Sequence, residues 1–162
     1  MKNIFYIALL IGIFSVVAVL ISKQTPTVTE TEPVLFSATD GTYCYARAQE
    51  ATPTEPYSVE EQISVTLVGS SVTGEKSGTQ AGPDMTNGYQ GTLAGIIHEN
   101  TLELVYAYTI EGSSNKELEV YEIAENTLTK HRFPLVEVDG VLVPERTTEP
   151  VLIGYTQIAC QE

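Results

Sequence analysis

The stretch GYQGTLAGIIHENTLELVYAYTI, residues Gly88–Ile110, decides the fold. In its second half Leu102, Leu104, Tyr106, Tyr108 and Ile110 occupy every second position. In its first half Tyr89, Gly91, Leu93, Gly95 and Ile97 do the same. A period of two is the period of a β-strand with one face buried. His98-Glu99-Asn100 stands between the halves as a turn. Gly91 and Gly95 lie four apart on the inward face, as Gly74 and Gly78 do in the preceding segment. Such pairs suit a sheet that bends sharply, or one that leaves room for a large side chain opposite.

The same pattern extends in both directions. Turn signals centre on Asp40, Thr54, Ser70, Asp84, Asn100, Ser113, Asn126 and Gly140, spaced 13 to 16 residues apart. Between them Val, Ile, Thr and Tyr dominate, and no face of period 3.6 is present. Strands are expected at Thr42–Ala48, Ser58–Val68, Ser71–Gln80, Gly88–Ile97, Thr101–Ile110, Lys116–Ile123, Thr127–Phe133 and Val151–Cys160. A short hairpin at Asp139-Gly140, a pair suited to a type I′ turn, joins the last two. The connections are short, so the expected fold is all-β, an antiparallel up-and-down meander of about eight strands.

The segment before the strands differs in kind. From Ile4 to Ile21 there is no charged residue. As a helix this run would be about 27 Å long, close to the hydrocarbon thickness of a bilayer. It ends in Ala18-Val19-Leu20-Ile21-Ser22, without the small-residue pattern of a cleavage site. A retained transmembrane signal anchor over residues 1–22 is therefore the expectation, with a cleaved secretory signal as the alternative. The positive-inside rule places the C-terminal part outside the cytoplasm. Residues 23–39 (KQTPTVTETEPVLFSAT) read as a flexible linker rich in Thr, Pro and Glu. Residues 40–162 form the extracytoplasmic domain.

Cys44 and Cys160 are the only cysteines, and neither stands in a C-x-x-C pair or at metal-ligand spacing from a histidine. In an exported chain they read as one disulfide. A disulfide needs its Cα atoms within about 7 Å. The first and last strands of an open eight-strand sheet would lie about seven spacings of ~4.8 Å apart. The pairing therefore asks for closure into a small barrel.

Charge and motifs narrow the function. The chain has 8 basic and 21 acidic side chains, a net charge of −13, which argues against nucleic acid and against a lipid-docking basic face. The S-x-x-K match at Ser113–Lys116 falls in a predicted turn, whereas serine enzymes carry that motif on a helix. His98 and His131 stand alone, so no metal site is expected, and no cofactor motif occurs. Glu117, Glu119 and Glu122 read as a solvated face. No N-x-[ST] acceptor occurs, which favours a bacterial envelope over a glycosylating secretory route.

The segment Gly78–Tyr89 (GTQAGPDMTNGY) joins two long strands by a loop longer than a hairpin needs, and long loops on rigid barrels are disproportionately functional. Asp84, Asn87 and Tyr89 are the candidate ligand or partner contacts, with Tyr43, Tyr45 and Lys76 as secondary ones.

Three segments, GTYCY (Gly41–Tyr45), GPDMTNGY (Gly82–Tyr89) and EGSSNKE (Glu111–Glu117), resemble stretches of uncharacterised bacterial extracytoplasmic proteins with a hydrophobic N-terminal anchor. The resemblance covers most of the domain after the linker. It implies an envelope β-barrel of lipocalin-like kind and brings no catalytic residues with it. The functional expectation is a membrane-anchored binding domain for a small ligand or an envelope partner. The alternatives are a hydrolase with a site near the Asp84 loop and a structural envelope protein.

Overall fold

Alternation of buried and exposed residues drives ten strands to form in the computed structural model, which describes residues 37–83 and 86–161. They are β1 (Gly41–Gln49), β2 (Ser58–Val68), β3 (Ser71–Ala81), β4 (Thr86–His98), β5 (Thr101–Ile110), β6 (Ser113–Ala124), β7 (Thr127–Arg132), β8 (Leu135–Val138), β9 (Val141–Pro144) and β10 (Val151–Ile158). The expected membrane anchor and most of the linker lie outside the described residues. No helix among the described residues is long and apolar enough to cross a membrane.

Each of β1 to β6 pairs antiparallel with the next, β7 pairs with β10, and β10 returns to β1. Eight strands thus close into a barrel, as the cysteine argument requires. Cys44 and Cys160 are bonded, with their Cα atoms 5.2 Å apart. The β8–β9 hairpin sits outside this ring. Its turn residues Asp139 and Gly140 have φ of 51° and 78°, the positive values that a type I′ turn demands.

The ring is not uniform. β6 pairs with β7 only from Tyr121 to Ala124. Beyond that point β7 leaves β6, and β9 lies parallel to β6 at Glu117↔Leu142. The wall therefore forks at one end of the barrel. This is the end that carries the 50–57 and 82–85 connections, here called the open end. The opposite, closed end carries the tight turns at Gly69-Ser70, Glu99-Asn100 and Glu125-Asn126.

Inward-facing side chains sort by height. Toward the closed end Val65, Leu67, Val72, Leu93, Leu102, Leu104, Ile123 and Leu128 fill the interior and are fully buried. That filling supplies the hydrophobic stabilisation of the domain. The inward glycines do two jobs. A Cβ on Gly74 would lie 2.0 Å from the Ser64 carbonyl oxygen, and one on Gly95 would lie 2.0 Å from that of Glu103. The neighbouring backbone passes too close for any side chain there. Gly78 instead makes room for an aromatic ring, since its Cβ would fall 2.5 Å from the Tyr89 hydroxyl.

The structure corrects three expectations. β3 and β4 run on to Ala81 and from Thr86, paired to the end, so only residues 82–85 connect them. The loop is an ordinary hairpin length, because Gly88, Asn87 and Ala81 all join the ladder. β6 starts at Ser113, and the turn before it is Glu111-Gly112, both at positive φ. Ser113 and Lys116 therefore lie on a strand at odd spacing and face opposite sides, which removes the geometry an S-x-x-K pair needs. Finally, Glu119 is no solvated residue. It is 2 % exposed, and its neighbour Glu117 is largely covered too.

Candidate functional site

Above the apolar floor the barrel interior is charged. Parity sends Arg47, Glu61, Lys76, Glu117, Glu119 and Lys130 inward from five strands. Arg47 Nη1 donates to Glu61 Oε2 at 2.7 Å. Lys76 Nζ lies 2.7 Å from Glu119 Oε1 and 3.6 Å from Glu61 Oε1. Lys130 Nζ donates to Glu117 Oε1 at 3.2 Å and also to Glu119 Oε1. The pairs form one chain of alternating sign across the barrel, from Arg47 on β1 to Glu117 on β6.

Tyrosines complete it. The Tyr89 hydroxyl donates to Glu61 Oε1 at 2.6 Å, and that of Tyr155 donates to Glu61 Oε2 at 2.8 Å. The Tyr121 hydroxyl donates to Glu119 Oε2 at 2.5 Å. Tyr106 donates to the Lys76 carbonyl at 3.1 Å, and its ring lies 4.9 Å from the Lys76 ammonium. Both oxygens of Glu61 and of Glu119 thus have donors. Such full satisfaction is what makes a buried carboxylate tolerable.

The electrostatics follow. Burial by itself would raise the Glu61 carboxyl. Lys76, the Tyr89 and Tyr155 hydroxyls and Arg47 outweigh it and hold the group below the usual carboxylate range. Burial likewise opposes the charge on Glu119, and Lys76 and Lys130 overcome it. Burial would lower Lys130, but Glu119 and Glu117 hold it above the ordinary lysine value. Burial first, and the nearby carboxylates second, push Tyr89 and Tyr155 well up. Each of these shifts moves a titration further from pH 7.

The open end gives this network its access to solvent. A cleft of about 730 Å3 opens there between β1, β7, β10 and the 50–57 connection. Arg47, Lys130, Tyr89 and Tyr155 form its floor, with Arg132 at the rim. Arg47 Nη2 also donates to Gln49 Oε1 at 2.6 Å, and Gln49 Nε2 donates to Glu55 Oε2 at 2.5 Å. The connection from β1 to β2 is thereby tied to the network.

The residues singled out from sequence are not gathered at one place. Asp84 lies outside the described residues. Asn87 is near the open rim on β4, where its amide, oriented to donate, reaches Glu111 Oε1 at 2.6 Å. Tyr89 joins the network through Glu61, and Lys76 is its central cation, 4 % exposed. Tyr45 is fully buried, with a hydroxyl that has no partner among the described residues. Tyr43 is near the closed end, where its hydroxyl donates to the Thr39 carbonyl at 2.9 Å. The open end therefore holds Asn87 and Tyr89, with Lys76 beneath them, and excludes Tyr43 and Tyr45.

Arg47, Glu61, Glu119, Lys130 and Tyr155 were missed. A signal existed: Glu117 and Glu119 share parity with Tyr121 and Ile123, as Glu61 does with Ile63 and Val65. A carboxylate on the inward parity of a barrel strand is a candidate interior charge. Among the described residues no group of three or more metal-ligating side chains stands together. Comparison with known protein families finds no matching family model, and comparison with curated proteins finds no match.

Proposed function

We propose that this chain is a membrane-anchored binding protein of a bacterial envelope. In this reading a lipocalin-like barrel is held outside the cytoplasm by the Ile4–Ile21 segment and takes a small ligand at its open end. The observation that carries the binding reading is the division of the interior. One end is packed solid with apolar side chains, while the other ends in a solvent-connected cleft of about 730 Å3 floored by charged and phenolic groups. A cleft of that size falls in the range of small-molecule sites, and its polar lining suits a polar ligand. The shifts within the network favour binding over acid–base catalysis. A general acid or base works best near the operating pH, and these groups are driven from it.

The test is amide chemical-shift mapping on the full chain in mild detergent, against a panel of charged and neutral small metabolites. Binding at the open end moves the amides of Gln49, Tyr89, Lys130 and Ile153 and leaves those of Gly69 and Asn126 unmoved. Shifts confined to the closed end, or none with any compound, overturn the reading.

A further inference from the structure

The cleft differs in charge from the rest of the molecule. The chain carries a net charge of −13, yet the basic residues of the described part concentrate inside the barrel. Of Arg47, Lys76, Lys116, Lys130, Arg132 and Arg146, only Lys116 and Arg146 are away from the interior and its rim. Arg47, Lys76 and Lys130 are matched by Glu61, Glu119 and Glu117. Arg132 is exposed at the rim and has no salt-bridge partner among the described residues. The interior network is thus neutral in sum, and Arg132 at its mouth is a cation without a salt-bridge partner among the described residues, on the same rim as the carboxylate of Glu55.

We propose that the open end binds a compact oxyanion, a small carboxylate or phosphate, with Arg132 as its principal contact. This rests on the binding reading above and names its ligand class. An exposed guanidinium at a cleft mouth offers paired N–H donors that match a carboxylate or phosphate edge. Gln49 and Gln80 line the same cleft and add neutral donors. The rim already accommodates one carboxylate, that of Glu55, which accepts from Gln49. Glu55 has no cation partner among the described residues, so its charge opposes an incoming anion. The anion must be compact. Leu67, Leu93, Leu104, Ile123 and Leu128 leave no channel below the charged layer for an acyl tail. Any attached body stays in the cleft, against Pro56, Val59 and Ile153.

The experiment is isothermal titration of the full chain in non-ionic detergent with citrate, with inorganic phosphate and with sorbitol as a neutral control of similar size. Citrate or phosphate binds saturably and sorbitol does not, and the stronger of the two anions assigns the ligand to carboxylates or to phosphates. Arg132→Gln weakens the anion about tenfold, the loss of one charge-assisted contact. Glu55→Gln strengthens it, a change of sign that a merely structural role would not produce. Both side chains are exposed, so the variants keep the native melting temperature. Anion binding that neither variant alters overturns the proposal. Sorbitol binding without anion binding overturns it while leaving the open end as a binding site. No binding by any of the three overturns it, and the shift-mapping panel then decides the broader reading separately.

Discussion

Lys76 Nζ on β3 lies 2.7 Å from Glu119 Oε1 on β6, across the barrel interior, although the two residues are 43 positions apart in the chain. Both are almost wholly removed from water, at 4 % and 2 % exposure. An isolated charge at such a site would cost several kcal/mol, so each needs the other. The pair holds β3 to β6 across the barrel, where no hydrogen-bond ladder joins them.

Lys76→Met should lower stability by about 3–5 kcal/mol, because it strands Glu61 and Glu119 without their central cation. Adding Glu119→Leu to that variant should recover a large part of the loss, as an apolar pair of similar volume replaces a broken ionic one. Thermal and urea unfolding of the two variants checks this. A double variant less stable than the single one by the full additive amount would count against the coupling.

Stability should fall at both ends of the pH scale. Glu61 and Glu119 titrate in the folded state below the ordinary value of 4.5, so their contribution is present above about 4.5 and is lost as pH drops through their folded values. Tyrosines behave in the opposite sense. Burial raises Tyr45 to about 12, and burial and nearby carboxylates raise Tyr89, Tyr121 and Tyr155 further, against 10.0 in the unfolded chain. Their contribution is whole below about 10 and declines as pH rises beyond it, with Lys130 adding in the same direction. Melting temperature against pH, together with phenolate absorbance, reads both limbs. Ionisation of these phenols near pH 10 in a still-folded barrel would contradict the network.

Gly74→Ala and Gly95→Ala should each cost about 1–3 kcal/mol or more, since the added methyl meets a backbone carbonyl that has nowhere to go. Gly154→Ala should change stability by less than about 0.5 kcal/mol, because nothing lies within 4 Å of its Cβ position. Equal effects at the three sites would show that the barrel can relax where the strands approach.

Reduction of Cys44–Cys160 should lower stability by about 2–5 kcal/mol, the range expected for a long closed loop. Melts with and without reductant measure it, and non-reducing peptide mapping shows whether the pair is bonded in the isolated protein. An unchanged melting temperature would remove the bond's role in closure.

The chain isolated from membranes should retain Met1 or the residue after it. Intact mass settles the matter, and a mature N-terminus after residue 20 would make the hydrophobic segment a cleaved signal instead.

Strand alternation made most of the barrel legible. Leu102 to Ile110 and Val59 to Leu67 show their buried face directly, and Asp139-Gly140 shows its turn chemistry. Closure was legible only through Cys44 and Cys160, because no local pattern records which strands meet at a seam. The charged layer is not legible from composition, which marks acidic residues as surface, and parity alone does not show which of them meet cations. Glu119 has the spacing of an inward residue, but the cations that make its burial tolerable stand on β3 and β7. The loop near Asp84 reads longer in sequence than it is because Asn87-Gly88, a common turn pair, here continues a strand.

The seam itself has a covalent consequence. β1 meets β10 through Cys44↔Ile158, Tyr45↔Gln157 and Ala46↔Thr156, and the Cys44–Cys160 bond lies beside this short ladder. From Cys44 to Cys160 the oxidised polypeptide is therefore a ring, with only the two ends of the chain hanging from it. A single proteolytic cut in the exposed 50–57 connection opens that ring without releasing a fragment. The nicked molecule then keeps its original ends and gains two new ones, and its two pieces stay covalently joined until the disulfide is reduced.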